Sequence, residues 1–324
     1  DWSDPRGRTI GIALAKVPAR GRRIGTLFVN PGGPGVSGVD LVAAGFLTLP
    51  RAVRERFDVV GFDPRFVGSS TPAGTCLPDT EYIDFLLGSP SFPITAAQES
   101  DFIDTRAGYA ARCATQSRLG FASTASVARD LDLLRRAVGD SALTYLGYSY
   151  GTYLGQVYAQ LFPGRVRAMA LDGVLDATAW ATGTGEAWQQ EPFSARVGSA
   201  AASSRALAEL FRRCRLAGRR LCPIAGDGPP SRVYRAVADT LLATPVDLGD
   251  GSVLDYPSLV TATVSVLYSP SDWRPFTTEL HELYRALGSP PLGAAGQRVA
   301  GTQPRIDLSG RSASVASSIF LVSS

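Results

Sequence analysis

Histidine is nearly missing from this sequence: 324 residues contain one, His281. Zinc sites built from several imidazoles are thereby excluded, and the four cysteines, Cys76, Cys113, Cys214 and Cys222, lack the C-x-x-C spacing that could replace them. No metal or cofactor is expected. Lysine is equally scarce, with Lys16 alone among 32 basic residues, and the arginines are interleaved with 29 acidic residues along the whole chain. A net charge of +3 spread in this way is a solvated surface rather than a nucleic-acid-binding stripe. Long apolar runs are lacking too. The longest, Tyr256 to Tyr268, is broken by Ser and Thr and falls short of the roughly 20 residues a membrane-spanning helix needs, so no membrane anchor is expected. From Asp1 onward no basic segment precedes an apolar one, so a secretion signal is expected to have been removed or never included.

What is present is ample core material. An apolar content of 45% over this length suffices for one large α/β core with an inserted subdomain. The cysteines admit three pairings, or none if they are buried thiols; their order along the chain favours Cys76 with Cys113 and Cys214 with Cys222, one loop in each half. Disulfides place the expected location outside the cytoplasm, secreted or in the cell envelope.

Thr9 to Val17 and Arg23 to Asn30 read as strands separated by the turn-forming 19–22 and are expected to pair as an antiparallel opening hairpin. A helix is expected from about Val39, then a strand buried on both faces over Phe57 to Asp63. Val127, Leu131, Leu134 and Val138 form one stripe of an amphipathic helix, with Ser126 as its expected N-cap and Gly139 at its end. The strand Ala142 to Leu146, the turn Gly147 to Gly151, the helix Thr152 to Phe162 and the strand Val166 to Leu171 follow. This βαβαβ order predicts a mostly parallel sheet flanked by helices. Beyond Asp176 the rhythm is helical, with stretches at Ala201 to Arg213, Arg232 to Leu242 and Pro257 to Leu267. The expected organisation is a core over 1–176, a helical lid over 177–290 and an irregular tail over 291–324 that returns incompletely to the core.

The turn Gly147-Tyr148-Ser149-Tyr150-Gly151 matches G-x-S-x-G between a predicted strand and a predicted helix, the context in which that motif presents a nucleophilic serine. The two glycines are expected to let the chain turn sharply enough to hold the serine in a strained backbone conformation with Oγ exposed above the sheet, with the positive end of the following helix under the site. Asn30-Pro31-Gly32-Gly33-Pro34-Gly35 follows a strand, and its glycines allow bare N–H groups to approach a substrate carbonyl. An oxyanion hole needs two donors, expected from Tyr150 and Gly33.

Taken with Gly61 to Arg65, Gly68 to Ser70 and Gly147 to Pro163, the Asn30 to Gly35 segment resembles the secreted actinobacterial tripeptidyl aminopeptidases, relatives of the proline iminopeptidases in the α/β-hydrolase superfamily. Leu171 to Val174 and Trp180 to Phe193 share the likeness, which covers roughly residues 1 to 290. The resemblance implies an α/β-hydrolase fold and an enzyme that removes short peptides from free N-termini through an acyl-enzyme on Ser149, under a helical lid. Two residues depart from it: Val36 and Phe66 stand where the family has glycine, and either strains its loop if φ is positive.

An aminopeptidase must hold a substrate ammonium, for which Glu186 is the first candidate and Glu191 the second, each weighed against an ordinary solvated glutamate. Asp63 and Arg65 are expected to make structural pairs beneath the loops. In this fold the triad runs Ser, Asp or Glu, then His in chain order. That order is not completed here. His281 lies among Phe276, Leu280, Leu283 and Leu287, one face of a predicted helix, and Asp307 is the only acidic residue after Glu282. Losing the triad histidine costs on the order of a millionfold in kcat. Two further readings therefore stand beside the peptidase: a catalytically silent homologue that binds peptides or acyl ligands, and an esterase of small esters. The expected partner is a peptide with a free N-terminus, and no nucleic acid or membrane. Val166 to Leu171, apolar and without edge protection, is expected to need a neighbour: Ser318 to Val322, a missing C-terminal segment or another chain.

Overall fold

A computed structural model describes residues 6–45, 47–87, 92–249 and 252–292. The described residues divide into two compact units, one lying within 1–84 and 106–197, the other within 85–105 and 198–324.

The first unit is built on five strands: β1 (Leu14–Val17), β2 (Gly25–Asn30), β3 (Phe57–Phe62), β4 (Leu143–Tyr148) and β5 (Val166–Asp172). Their order across the sheet is β1-β3-β2-β4-β5, with β1 antiparallel to β3 and every other pair parallel. The expected opening hairpin therefore does not form. β3 lies between the two strands, and the backbone N–H groups of Arg20, Gly21 and Ile24 donate to the carbonyls of Arg54, Glu55 and Arg56 instead of closing a turn. β2 is central, and all six of its residues are buried. With a period of two, Leu27 and Val29 join Val42 and Val59 on one face, while Phe28 joins Val60, Phe62 and Leu131 on the other. Removing Phe28 and Val29 fully from water is worth about 1.5–3 kcal/mol each.

The helices follow the sheet connections: α1 (Gly38–Ala43), α2 (Arg51–Arg54), α3 (Asp79–Leu87), α4 (Ala96–Ala114), α5 (Thr124–Ala137) and α6 (Tyr150–Leu161). Three short turns, α7 (Ala177–Ala181), α8 (Ala187–Gln190) and α9 (Phe193–Arg196), complete the first unit, while the end of α3 and the start of α4, within 85–105, are counted with the second. In α5 the predicted stripe holds, with Val127 and Leu131 buried and Leu134 and Val138 against the same core. Its N-cap is Ser123, not Ser126. Ser123 Oγ accepts the N–H of Ser126 at 3.3 Å, because only an extended residue before the first turn can reach the free amides inside it. Gly139 closes the helix at φ 80.

β5 is one of the two outer strands of the sheet among the described residues, opposite β1, with Arg167, Ala168, Ala170 and Asp172 exposed. Its expected neighbour, Ser318 to Val322, lies outside the described residues, as do Asp307 and the tail from 293.

The second unit is helical, with α10 (Ser199–Ala217), α11 (Pro230–Ala243), α12 (Tyr256–Val266) and α13 (Trp273–Ala286) around Ile224, Val233, Val237, Leu241, Phe276 and Leu280. A two-stranded pair, β6 (Val246–Asp247) with β7 (Val253–Leu254), interrupts the helices. It is too short to register as a pattern. Cys76 bonds Cys113 in the first unit and Cys214 bonds Cys222 in the second, with Cα separations of 4.9 and 5.3 Å. None of the helices described is long and apolar enough to cross a membrane.

Candidate active site

Ser149 stands between β4 and α6 at φ 51, ψ −120. Apart from Phe66 and Ser289 it is the one non-glycine with positive φ among the described residues, and such backbone costs about 1–3 kcal/mol. The surroundings hold it there. Its N–H donates to the Asp172 carbonyl at 3.0 Å, and its own carbonyl accepts from the Thr152 N–H at 2.9 Å and the Thr152 hydroxyl at 2.6 Å. Thr152 Oγ1 in turn accepts the Leu175 N–H at 3.0 Å, and Gln156 Nε2 donates to the Leu175 carbonyl at 2.9 Å. The turn is thus laced to the chain leaving β5.

The flanking glycines allow the tight turn by close packing of backbones, and the strained conformation falls on the serine between them. Neither Gly147 nor Gly151 has positive φ; the strain sits on the serine alone. A Cβ on Gly147 would lie 2.5 Å from the Gly151 carbonyl oxygen, and one on Gly151 would lie 2.7 Å from the Asn30 carbonyl oxygen. They are required by close approach of backbones.

Around this turn the neighbours are buried while Ser149 itself is exposed. Tyr145, 1% exposed, donates its hydroxyl to the Gly151 carbonyl at 2.8 Å. Burial, with Tyr150 beside it, raises its phenol well above the ordinary value, so it remains a donor. Tyr150 turns its ring into the core against Tyr153 and Trp180, with its hydroxyl 2.8 Å from Thr124 Oγ1; burial raises its phenol as well. Its backbone N–H, at the first position of the twelve-residue α6, has no acceptor among the described residues. The positive end of the helix dipole is therefore open beside Ser149 Oγ, which no described residue engages.

The second predicted element meets the first. Gly32, Gly33 and Gly35 have φ 102, 104 and 106. A Cβ on Gly32 would fall 2.6 Å from the Tyr148 carbonyl oxygen, 3.0 Å from Ser149 Cβ and 3.1 Å from the Tyr150 nitrogen, so this loop lies directly on the turn. Gly32 donates to Asn30 Oδ1 at 3.1 Å, whereas the Gly33 N–H has no acceptor among the described residues. Val36 does not take positive φ, but Phe66 does, at 69.

Glu186 is at the N-cap of α8, exposed, its carboxylate 3.5 Å from Gln190 Nε2; Glu191 is exposed at the C-cap. Neither carboxylate forms an ion pair among the described residues. His281 belongs to the second unit, where its Nδ1 lies 2.5 Å from Asp227 and Arg285 Nε donates to the same carboxylate at 2.9 Å. Asp63 and Arg65 do not behave alike. Arg65 makes the expected pair, its Nε and Nη2 each 2.6 Å from an Asp130 oxygen, while the Asp63 carboxylate takes only hydroxyl and amide donors among the described residues.

An exposed serine on a strained strand-to-helix turn, with a glycine loop against it, is the signature of one fold family, and residues 25–195 match it: the alpha/beta hydrolase fold. The chain belongs to that family. The serine protease Hip1 of Mycobacterium tuberculosis is 37% identical over 307 residues, 91% of this chain and 56% of that protein. Carboxylesterase B of Mycobacterium tuberculosis is 37% identical over 292 residues, 88% of this chain and 53% of that protein. The tripeptidyl aminopeptidase of Streptomyces coelicolor is 39% identical over 185 residues, 54% of this chain and 34% of that protein. The chain spans about half the length of the first two.

Proposed function

We propose that the chain carries the nucleophile of a secreted or envelope serine hydrolase that releases short peptides, tripeptides among them, from free N-termini. Ser149 Oγ attacks the scissile carbonyl to form an acyl-enzyme, and the N–H groups of Gly33 and Tyr150 take the developing oxyanion. A correctly placed donor of this kind is worth about 2.7–4 kcal/mol. Glu186, or Glu191 in its place, holds the substrate ammonium, since both carboxylates are solvent-facing and not neutralised by a neighbouring cation. The peptide C–N bond breaks as the acyl-enzyme forms, and the leaving amine departs with the proton given up by the Ser149 hydroxyl.

The observation that carries the reading is Ser149 at φ 51: strain at an exposed hydroxyl persists because the surrounding hydrogen bonds over-determine it. Two relatives named as a protease and an aminopeptidase support the peptidase reading, and the two disulfides support an oxidising compartment. Fluorophosphonate labelling tests it. Labelling of Ser149, absent in Ser149→Ala, is the expected result; an unlabelled serine points to the silent, ligand-binding reading. The relative named carboxylesterase B favours a second reading, hydrolysis of small esters. A tripeptide anilide against a short-chain ester separates the two, and a preference for the ester defeats the aminopeptidase.

A further inference from the structure

Residues 31–36 have no helix or strand of their own, yet the proposed reaction needs the Gly33 N–H held to a fraction of an ångström. Two buried polar side chains bracket them. At the start, Asn30, 1% exposed, accepts the Gly32 N–H. At the end, the carboxylate of Asp63, 0% exposed, accepts the Ser37 hydroxyl at 2.6 Å and the Val39 N–H at 3.1 Å through Oδ1, and the Ser69 N–H at 2.9 Å through Oδ2. Ser37 uses its hydroxyl twice, since the same Oγ accepts the Asp40 N–H at 3.0 Å and caps α1. The main chain of Asp63 is fixed as well: its N–H donates to Ala13 at 3.1 Å, and its carbonyl accepts the Ser70 hydroxyl at 2.7 Å. Gly68, at φ 52, closes over the carboxylate, where a Cβ would stand 2.3 Å from Oδ2. No arginine or lysine pairs with Asp63 among the described residues. Among the described residues its carboxylate is met by the Ser37 hydroxyl and the Val39 and Ser69 N–H groups alone.

We propose that Asp63 is a positioning residue for the oxyanion hole. It pins the exit of the 31–36 loop through Ser37 and Val39, and the contact of Gly32 with Tyr148, Ser149 and Tyr150 transmits that anchorage to the gap between the Gly33 and Tyr150 N–H groups. A buried carboxylate suits this task because charge-assisted hydrogen bonds are shorter and stronger than neutral ones. A displacement of about 1 Å at a reacting group costs on the order of 100-fold in rate. The proposal rests on the hydrolase reading above.

The test compares an oxo ester with its thiono counterpart, whose sulfur accepts hydrogen bonds poorly, so that the ratio of the two kcat/KM values reports on the oxyanion hole. Ser37→Ala removes one donor to Asp63, Asp63→Asn removes the charge, and Ser37→Thr restores the hydroxyl. The expected result is an oxo-ester kcat lower by about 10- to 100-fold in the first two at nearly unchanged KM, a collapsed oxo-to-thiono ratio, and recovery in Ser37→Thr. Should Asp63→Asn fail to fold, Ser37→Ala against Ser37→Thr decides. Equal loss on both esters, or an unchanged ratio in a folded variant, overturns the positioning role and leaves the hydrolase reading standing. A wild-type protein that neither labels at Ser149 nor turns over the oxo ester overturns both.

Discussion

Replacing Ser149 with glycine is expected to make the protein more stable than replacing it with alanine, although both changes delete the same hydroxyl. Ser149 is exposed and its Oγ is not engaged by any described residue, so neither variant loses packing or a hydrogen bond of consequence. What differs is backbone. At φ 51, ψ −120 an L side chain costs about 1–3 kcal/mol. Alanine retains that cost and glycine removes it. Against the gain stands the larger unfolded-state entropy of glycine, about 0.5–1 kcal/mol. The balance favours Ser149→Gly over Ser149→Ala by about 1 kcal/mol at the middle of these ranges. In a unit of this size that difference corresponds to about 2–4 °C in Tm, measurable by calorimetry and by urea titration with unchanged slope. A glycine variant no more stable than the alanine variant would refute the idea that the turn stores strain at the nucleophile.

Phe66→Gly, which relieves the φ of 69 at that loop, is expected to gain about 0.5–1 kcal/mol in urea titration, and a loss would show that the phenyl ring contributes more than the backbone costs. Arg65→Ala strands the buried Asp130 carboxylate and is expected to cost about 3–5 kcal/mol, most of it regained when Asp130→Leu is added; additive losses would contradict this account. Acid should unfold the first unit in a defined window. Burial alone would raise the Asp132 carboxyl, but hydrogen bonds from Arg135 and Tyr158 and the charges of Arg135 and Arg165 hold it below its ordinary value; Asp58 is lowered in the same way by the Ala19 N–H, Lys16 and Arg23. Because both folded values are depressed, their stabilisation is complete above the unfolded carboxylate range near pH 4 and is lost as pH falls through the folded values. Tm should therefore drop steeply below about pH 4. The drop should be shallower in Asp132→Asn, and an unchanged acid limb in that variant would count against the network.

The parts of the site legible in the sequence are those in which one short segment carries its own pattern. Gly147 to Gly151 between an apolar run and a helical stripe located Ser149, and the same local periodicity located α5 and α6. Long-range choices were not written locally. Nothing in Thr9 to Val17 says that its partner is β3 rather than β2, since an apolar strand accepts either neighbour and the decision belongs to the whole sheet. The sequence shows that Gly147 and Gly151 permit the tight turn but not which backbones they let approach, because those lie in Asn30 and across the turn itself. Asp63 did leave a signal, a carboxylate ending a run buried on both faces, with Ser37, Ser69 and Ser70 nearby in sequence or fold. The sequence pattern supports a structural pair at Asp63 as readily as at Arg65, and only the fold shows that Arg65 alone makes one among the described residues.

The position of β2 at the centre of the sheet sets an order of events in the life of the chain. Its first neighbour, β3, ends at Phe62, but the strand that covers its other side, β4, begins only at Leu143. Asp140, which accepts the Thr26 N–H at 2.6 Å along the same seam, comes equally late. During synthesis at about 5–20 residues per second, β2 waits several seconds with one side unpaired. Its pairing is non-local, and the entropy of closing so long a loop must be met before any contact repays it. A ribosome-bound intermediate that exposes Leu27, Phe28 and Val29 on an open strand is a natural client for a chaperone. Slowing translation between residues 62 and 143 should lower the yield of folded protein more than the same delay placed after Asp172.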